Sequence, residues 1–553
     1  MSTAVRIDAR GATALPKYYS RSMDPQPLHP QDRVEPLEGA ASLLERAVWV
    51  AATVVVIGCL LHGLGSIPPG LYIDETAIGY DARALLLTGA DQYGERFPLF
   101  FRSLDDYKST VFTYAVALSE AVLGPTPFAV RVPAVGFALV TAVALWALLR
   151  SLTGRPVLSR WMALASLVIP STFVYARLGM SEAGAFVAFL TVALLALRRL
   201  EVEPSWWRAA VAGAALASCV YTYQTARLLA PVMVVVAGLV AYRDARLRRY
   251  VPALLAAAAL VAAPYALHLV LHTGQMTARF SRMAIWNEVG AGTAAKRFVD
   301  HYWQHLLSTD FLFWSGDPNF RHNVGFGLLP LWFAIPMLAG VRALWRRRKT
   351  LLGGFVLALL PLTAIPASLV HDGWPHAGRM LHLVPLAVML AALGIADLLS
   401  EFHLERWGRR KALLVGAVLL CVPVPEATLL LHRYFRTYPA PAQVAFDAGK
   451  GRALQAAFGA RKGLEPLFVP DEYFWWDGIS LKFWGNLDPV AYRTAGFAGL
   501  GIFKASEVSS YPRGALVVTP GGLVPFSPDT ADLVGVSPSL ADGSALWKVF
   551  RVR

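Results

Sequence analysis

The residues of this chain best suited to chemistry are a pair of neighbouring carboxylates. Asp74 and Glu75 stand side by side in "GLYIDETAIGYD", directly after the first long apolar segment. A carboxylate fixed there can take a proton from an incoming hydroxyl or amine. Asp74 also suits the N-cap of a helix over 75–88, with Gly89 ending it. Capping and proton transfer are compatible, because a cap holds the carboxylate still.

Further polar residues follow at the ends of apolar runs. "SLDDYKSTVFTYA" supplies Asp105, Asp106 and Lys108, and "GPTPFAVRVPA" places Arg131 at the opening of the next span. "YARLGMSEA" carries Arg177 and Glu182; "YTYQTARLLAP" carries Tyr223 and Arg227. Arginine offers a planar fork and lysine a point charge, and both suit a lipid phosphate at a membrane interface. Plainer roles exist too: a snorkelling Lys108 and an interface-anchoring Arg131. "DFLFWSGDPNFRHNVG" contributes Asp317, Arg321 and His322, and "VHDGWPHAGRML" contributes His371, Asp372, His376 and Arg379. These His and Asp residues raise the question of a metal site, but their spacing matches no standard ligand set. No metal ligand is assigned.

The elements that must position these groups are membrane helices. Of 553 residues, 56% are hydrophobic and 16% charged, against about a quarter charged in soluble domains. Apolar runs of membrane-spanning length recur near 47–65, 133–150, 161–176, 183–198, 209–224, 228–242, 251–271, 325–341, 351–369, 381–399 and 412–430. The net charge of +14 sorts into alternate connections, among them Arg150, Arg155 and Arg160, then Arg198, Arg199 and Arg208, then Arg342 to Lys349. That pattern is the signature of cytoplasmic loops and not of a nucleic-acid partner. It predicts a multi-pass protein of the plasma (inner) membrane with eleven spans, a cytoplasmic N-terminus and an extracytoplasmic C-terminus. The apolar run at 110–123 has only 14 residues. Crossing there would put every later basic cluster outside, so it is read as an interfacial or re-entrant helix within an external loop, 66–132.

Residues 1–46 are polar and Pro-rich, which predicts a disordered cytoplasmic tail and not a signal peptide. The transmembrane domain is expected over 47–431. Beyond it, "LHRYFRTYPAPAQVAFDAGKGRALQAAF" suggests an amphipathic helix, and "PLFVP", "GALVVTP" and "ALWKVFRVR" suggest strands. A small extracytoplasmic α/β domain over 432–553 follows. Cys59, Cys219 and Cys421 all lie in apolar stretches and form no disulfide or metal spacing.

The order of these stretches resembles a family. A first span, Asp-Glu in the first external loop, a Lys-containing stretch, "G-x-x-x-x-A-x-R-x-P" and then "R-x-x-x-x-E" is similar to the GT-C membrane glycosyltransferases. Within that family it resembles especially the relatives of the protein O-mannosyltransferases and the lipid A aminoarabinose transferases, over about residues 47–440. The resemblance implies an all-α polytopic membrane bundle with interfacial helices, a polyprenyl-phosphate sugar donor, and an inverting displacement onto a lipid, glycan or protein acceptor. It implies Asp74 as catalytic base, Glu75 as its acidic neighbour and Glu182 as a second external carboxylate. Lys108 resembles the donor-phosphate lysine of the aminoarabinose transferases, although those read Glu-Lys-Pro-Pro where this chain reads Tyr107-Lys108-Ser109-Thr110. Arg131 matches the arginine opening the following span, and Arg177, Arg227 and Arg379 are additional phosphate or sugar contacts. The class admits a divalent cation, which a monophosphate donor does not require. Two other readings remain open from sequence: a glycan or lipid-linked glycan transporter, and an O-antigen-ligase-like transferase.

Overall fold

The computed structural model describes residues 40–104, 106–287, 289–401, 423–523 and 526–553. Most of the expected tail over 1–46, Asp105, and much of the expected eleventh span over 412–430 lie outside the described residues. The chain divides into Met1–Ala51 and Ala52–Arg553. The first unit contributes the start of α1 (Ala40–Leu61); everything below concerns the second.

Seven helical stretches among the described residues are long and apolar enough to cross a membrane. They correspond to seven of the expected spans. The first lies in α1. The second and third are α4 (Pro127–Thr153) and α7 (Glu182–Val202). Next come α9 (Gln224–Arg243) and α10 (Val251–Leu271), the latter extended by the turn at 248–250. The last two are Leu351–Ser368, built from α14 (Leu351–Leu359) and α15 (Ile365–Ser368), and α17 (Leu383–Glu401).

The count of eleven is not reproduced. Where 161–176 was expected to span, α5 (Pro156–Ser166) stops and α6 (Pro170–Tyr175) starts afresh, because Pro170 lacks the N–H that would continue the helix. Over 209–224, α8 (Trp206–Ser218) gives way to a 3-10 turn. Over 325–341, α13 (Ala334–Arg346) begins nine residues late, after the segment that contains Pro330.

Tight helix contacts hold the bundle. A Cβ on Gly340 of α13 would lie 1.9 Å from the Leu390 carbonyl, and one on Gly394 of α17 would lie 1.9 Å from that of Pro336. Only glycine allows that approach, the usual device where lipid gives no hydrophobic drive to helix pairing.

Between α1 and α4 lie three elements that frame the polar end. These are α2 (Ile73–Thr88), a hairpin of β1 (Phe101–Ser103) and β2 (Asp106–Lys108), and α3 (Thr110–Leu123). Gly89 does end α2, in the left-handed conformation with φ 66°, its N–H bonded to Leu85 O. The expected cap does not hold. The helix begins at Ile73 with Tyr72 as N-cap, and Asp74 is its second residue. Glu75 instead accepts the Tyr72 N–H at 2.9 Å. At the N-terminal flank of α3, the Ser109 N–H donates to Glu182.

The C-terminal segment carries a five-stranded sheet in the order β4-β3-β5-β7-β6. The strands are β3 (Leu467–Val469), β4 (Ile502–Lys504), β5 (Leu516–Pro520), β6 (Ala531–Pro538) and β7 (Ala545–Val552). Three of them coincide with the strand-like runs read from sequence. The expected amphipathic helix is broken into shorter pieces, with prolines at 439 and 441 and Asp447 at positive φ. Ile479 and Phe483 of the helix Trp475–Trp484 pack into the same apolar cluster as Ile78 and Ala82 of α2. The sheet domain therefore rests against the helix that carries Asp74.

Candidate active site

Two separate charge networks occupy the polar end. The first is sealed from water. Glu75 and Arg131 are fully buried, paired through Arg131 Nε to Glu75 Oε1 at 2.9 Å and Nη2 to Oε2 at 3.0 Å. Arg131 gives its other N–H groups to the carbonyls of Leu64, Pro68 and Gly70. Glu75 Oε1 also accepts the Gly179 N–H at 2.6 Å. All five guanidinium donors are spent on protein acceptors, so none remains for a donor phosphate. Arg177 is likewise buried, bonding the carbonyls of Cys59, Leu60, His62 and Ile67 beneath Tyr434 and Phe435. The phosphate-contact expectation for Arg131 and Arg177 is therefore corrected. Both arginines hold the turn between α1 and α2, and Glu75 belongs to that clamp.

The second network opens toward solvent. Side chains two apart on a strand share a face, so β2 presents Asp106 and Lys108 together. Lys108 Nζ bonds Asp74 Oδ1; the lysine side chain is 5% exposed and the aspartate 23%. Burial alone would lower the Lys108 pKa, but Asp74, Glu182 and Asp106 outweigh it and hold the ammonium above the ordinary lysine value. Asp106 accepts from Arg279 Nη1 at 2.7 Å and from Gln224 Nε2. Burial would raise that carboxyl, yet Lys108 and Arg279 keep it below the usual range. Glu182, the first residue of α7, accepts the Ser109 N–H at 2.6 Å. Arg227 donates to the Tyr107 carbonyl at 2.8 Å and lies over the Phe100 ring.

Tyr223 sits within the fields of Arg379, Glu182, Arg279 and Lys108, with burial pushing its phenol up. Arg379 itself is tied to Asp372 through that residue's carbonyl and carboxylate, at 2.6 and 2.7 Å.

Of the eight candidate site residues, the structure thus links Asp74, Lys108, Glu182 and Arg227 through the β2 hairpin, with Arg379 facing Tyr223 beside them. It sets Glu75, Arg131 and Arg177 in the separate buried clamp. Sequence reading missed Arg279 and Gln224. Arg279 lies on α11 (Thr273–Met283), a helix whose charge was hidden in the long 272–324 connection. Its signal was a pair of arginines, Arg279 and Arg282, in the short helix that follows α10.

A polytopic bundle with a charged loop cluster and a small α/β domain shares its fold with solved structures of ArnT. The crystal structure of ArnT from Cupriavidus metallidurans bound to undecaprenyl phosphate matches with TM-score 0.55 at 12% identity, over 92% of this chain and 98% of that one. The apo state of ArnT matches with the same TM-score at 13% identity and the same coverage. The oligosaccharyltransferase AglB from Archaeoglobus fulgidus gives TM-score 0.45 at 11% identity, over 80% of this chain and 64% of that one. No family model and no curated sequence matches the chain.

Proposed function

We propose that this chain is an integral-membrane glycosyltransferase that moves a sugar from a polyprenyl-phosphate donor to a lipid, glycan or protein acceptor, with inversion. The observation that carries this reading is the Lys108–Asp74 pair, a cation held charged beside a more open carboxylate. A donor phosphate entering the opening takes over Lys108 and releases Asp74. Asp74 then accepts the proton of the acceptor O–H or N–H while the acceptor lone pair bonds to the anomeric carbon. The bond from that carbon to the phosphate oxygen breaks, and its electron pair leaves with the polyprenyl phosphate. Lys108 and Arg279 take up the charge that develops there. Glu182 and Arg227 position the strand and turn that carry Lys108, through the Ser109 N–H and the Tyr107 carbonyl. Arg379 is assigned to the sugar or its phosphate. ArnT, solved with undecaprenyl phosphate bound, supports a polyprenyl-phosphate carrier through its shared fold.

The reaction belongs on the extracytoplasmic face, because the loops that meet at Asp74 are those poor in Lys and Arg clusters. Cysteine labelling with an impermeant reagent is expected to reach position 182 from outside and position 155 only from inside. The reaction itself is tested with purified protein in lipid nanodiscs and a panel of polyprenyl-monophosphate sugars. Release of free polyprenyl phosphate with an inverted glycosidic product is expected. Consumption of pyrophosphate-linked glycans alone overturns the proposal in favour of a ligase-like transferase, and absence of any turnover across both panels overturns it as well.

A further inference from the structure

A second cluster of ionisable groups lies outside the transfer chemistry. It joins the loop after α12 (Ala291–Leu306) to the loop that precedes α16 (Ala377–Met380). Asp317 and His322 come from the first loop and His376 from the second. One oxygen, Asp317 Oδ2, lies 3.0 Å from His322 Nδ1 and 3.9 Å from His376 Nδ1. A donor atom from each of the three side chains falls within 4.8 Å of the others. The two imidazole rings lie 4.4 Å apart at 33°, and all three side chains are largely withdrawn from water.

We propose that Asp317, His322 and His376 form a binding site for one divalent transition-metal ion, with zinc as the first candidate. Two imidazoles and one carboxylate are a standard zinc ligand set, leaving a fourth position for water. Metal–ligand bonds of about 2.0–2.1 Å place tetrahedral ligand atoms roughly 3.3–3.4 Å apart. The observed separations bracket that value.

The supporting shell is also in place. Asp317 Oδ1 accepts the Asn319 N–H and Oδ2 accepts the Ala377 N–H, each at 2.8 Å. His305 Nε2 accepts the His376 backbone N–H at 3.1 Å, and the Tyr175 ring stacks on His322. Such partners fix ligand orientation. Binding replaces bonds now made inside the cluster. The metal takes the His322 Nδ1 lone pair, with the ring proton carried on Nε2 in place of the Nδ1–Asp317 hydrogen bond. It also takes the His376 Nδ1 lone pair, which here accepts from the Gly378 and Arg379 N–H groups at 3.1 and 3.4 Å. The ion would cross-link the two loops.

The test is metal content of full-length protein purified in detergent without a polyhistidine tag. About one zinc per chain is expected. X-ray absorption at the zinc edge should show two imidazoles and oxygen, a reading that needs no substitution. Cobalt added to chelator-stripped protein should give the visible absorption of a tetrahedral site. His322→Ala and Asp317→Asn should lose both signals, as should His376→Gln, which keeps an acceptor for the Gly378 N–H. His371→Ala, a histidine of the same loop outside the cluster, should keep them. A wild type without stoichiometric metal or cobalt spectrum overturns the proposal and leaves a hydrogen-bonded triad. A sulfur or all-oxygen shell, or full retention in folded His322→Ala, overturns it too. None of these readouts depends on sugar transfer.

Discussion

The two ends of the helical bundle use charge in opposite ways. At the end that holds Asp74, the Glu75–Arg131 pair and Lys108 are withdrawn from water beside a more open set of charges. Glu75 and Arg131 are 0% exposed and Lys108 is 5% exposed. At the end that gathers the basic connections, Arg342 pairs with Glu401 at 62% and 38% exposure, and Arg346 pairs with Asp397 and the same Glu401. Glu201 is the exception there, buried against Arg198 and the Leu352 N–H. Exposed pairs contribute about 0–1 kcal/mol each. A buried pair that loses one member costs on the order of 3–5 kcal/mol. The basic end spends its charge on orientation across the bilayer, and the other end spends it on geometry.

Substitutions can break that contrast. The largest effect is expected at the clamp. Arg131→Gln strands Glu75 in the interior, and unfolding in detergent should show a loss of about 3–5 kcal/mol. Arg131→Lys should not rescue it, because a lysine cannot reach five acceptors in a plane. A stable Arg131→Gln protein with a donor-binding defect would return this arginine to the phosphate role that the geometry removes.

Next in size is Asp74→Asn. Turnover should fall by about two to four orders of magnitude while the unfolding midpoint stays near that of wild type, separating the open network from the sealed one. Wild-type turnover in that variant would leave Asp74 as no more than a partner for Lys108.

Lys108→Met and Arg279→Gln should each lower kcat/KM by roughly tenfold to a hundredfold, the loss of one charge-assisted hydrogen bond. The double variant should fall short of the product of the two, since both grip one phosphate. Strict additivity would place Arg279 outside the donor site.

The Asp106–Arg279 pair gives a smaller, pH-dependent effect. The Asp106 pKa is lowered in the fold, so its stabilising contribution is complete above the unfolded value of about 3.9 and is lost as pH falls through the folded one. The stability difference between wild type and Asp106→Asn should be constant from neutral pH to about pH 5 and shrink only below about pH 4. A difference that already declines near pH 6 would show that the carboxyl is not held ionised by its neighbours. Smallest of all, Arg342→Gln should change stability by less than about 0.5 kcal/mol.

Much of this architecture is local in origin and was legible in the chain. Seven spans follow from apolar length, the end of α2 from the positive φ that Gly89 tolerates, and three strands of the sheet from short runs between Gly and Pro. Asp74 and Lys108 could be singled out because a charge beside an apolar run stands out by composition alone. What composition does not encode is partnership. Glu75 finds Arg131 56 positions away, Asp106 finds Arg279 173 positions away, and Asp317 accepts the Ala377 N–H from 60 positions away. Glu75 and Asp74 are adjacent and chemically alike, yet successive helical residues point about 100° apart, so one faces the sealed turn and the other the opening. The sequence determined that carboxylates and isolated basic residues recur in the connections that lack basic clusters. Only the packing of α2, β2, α4 and α11 decided which of them remain accessible to a substrate.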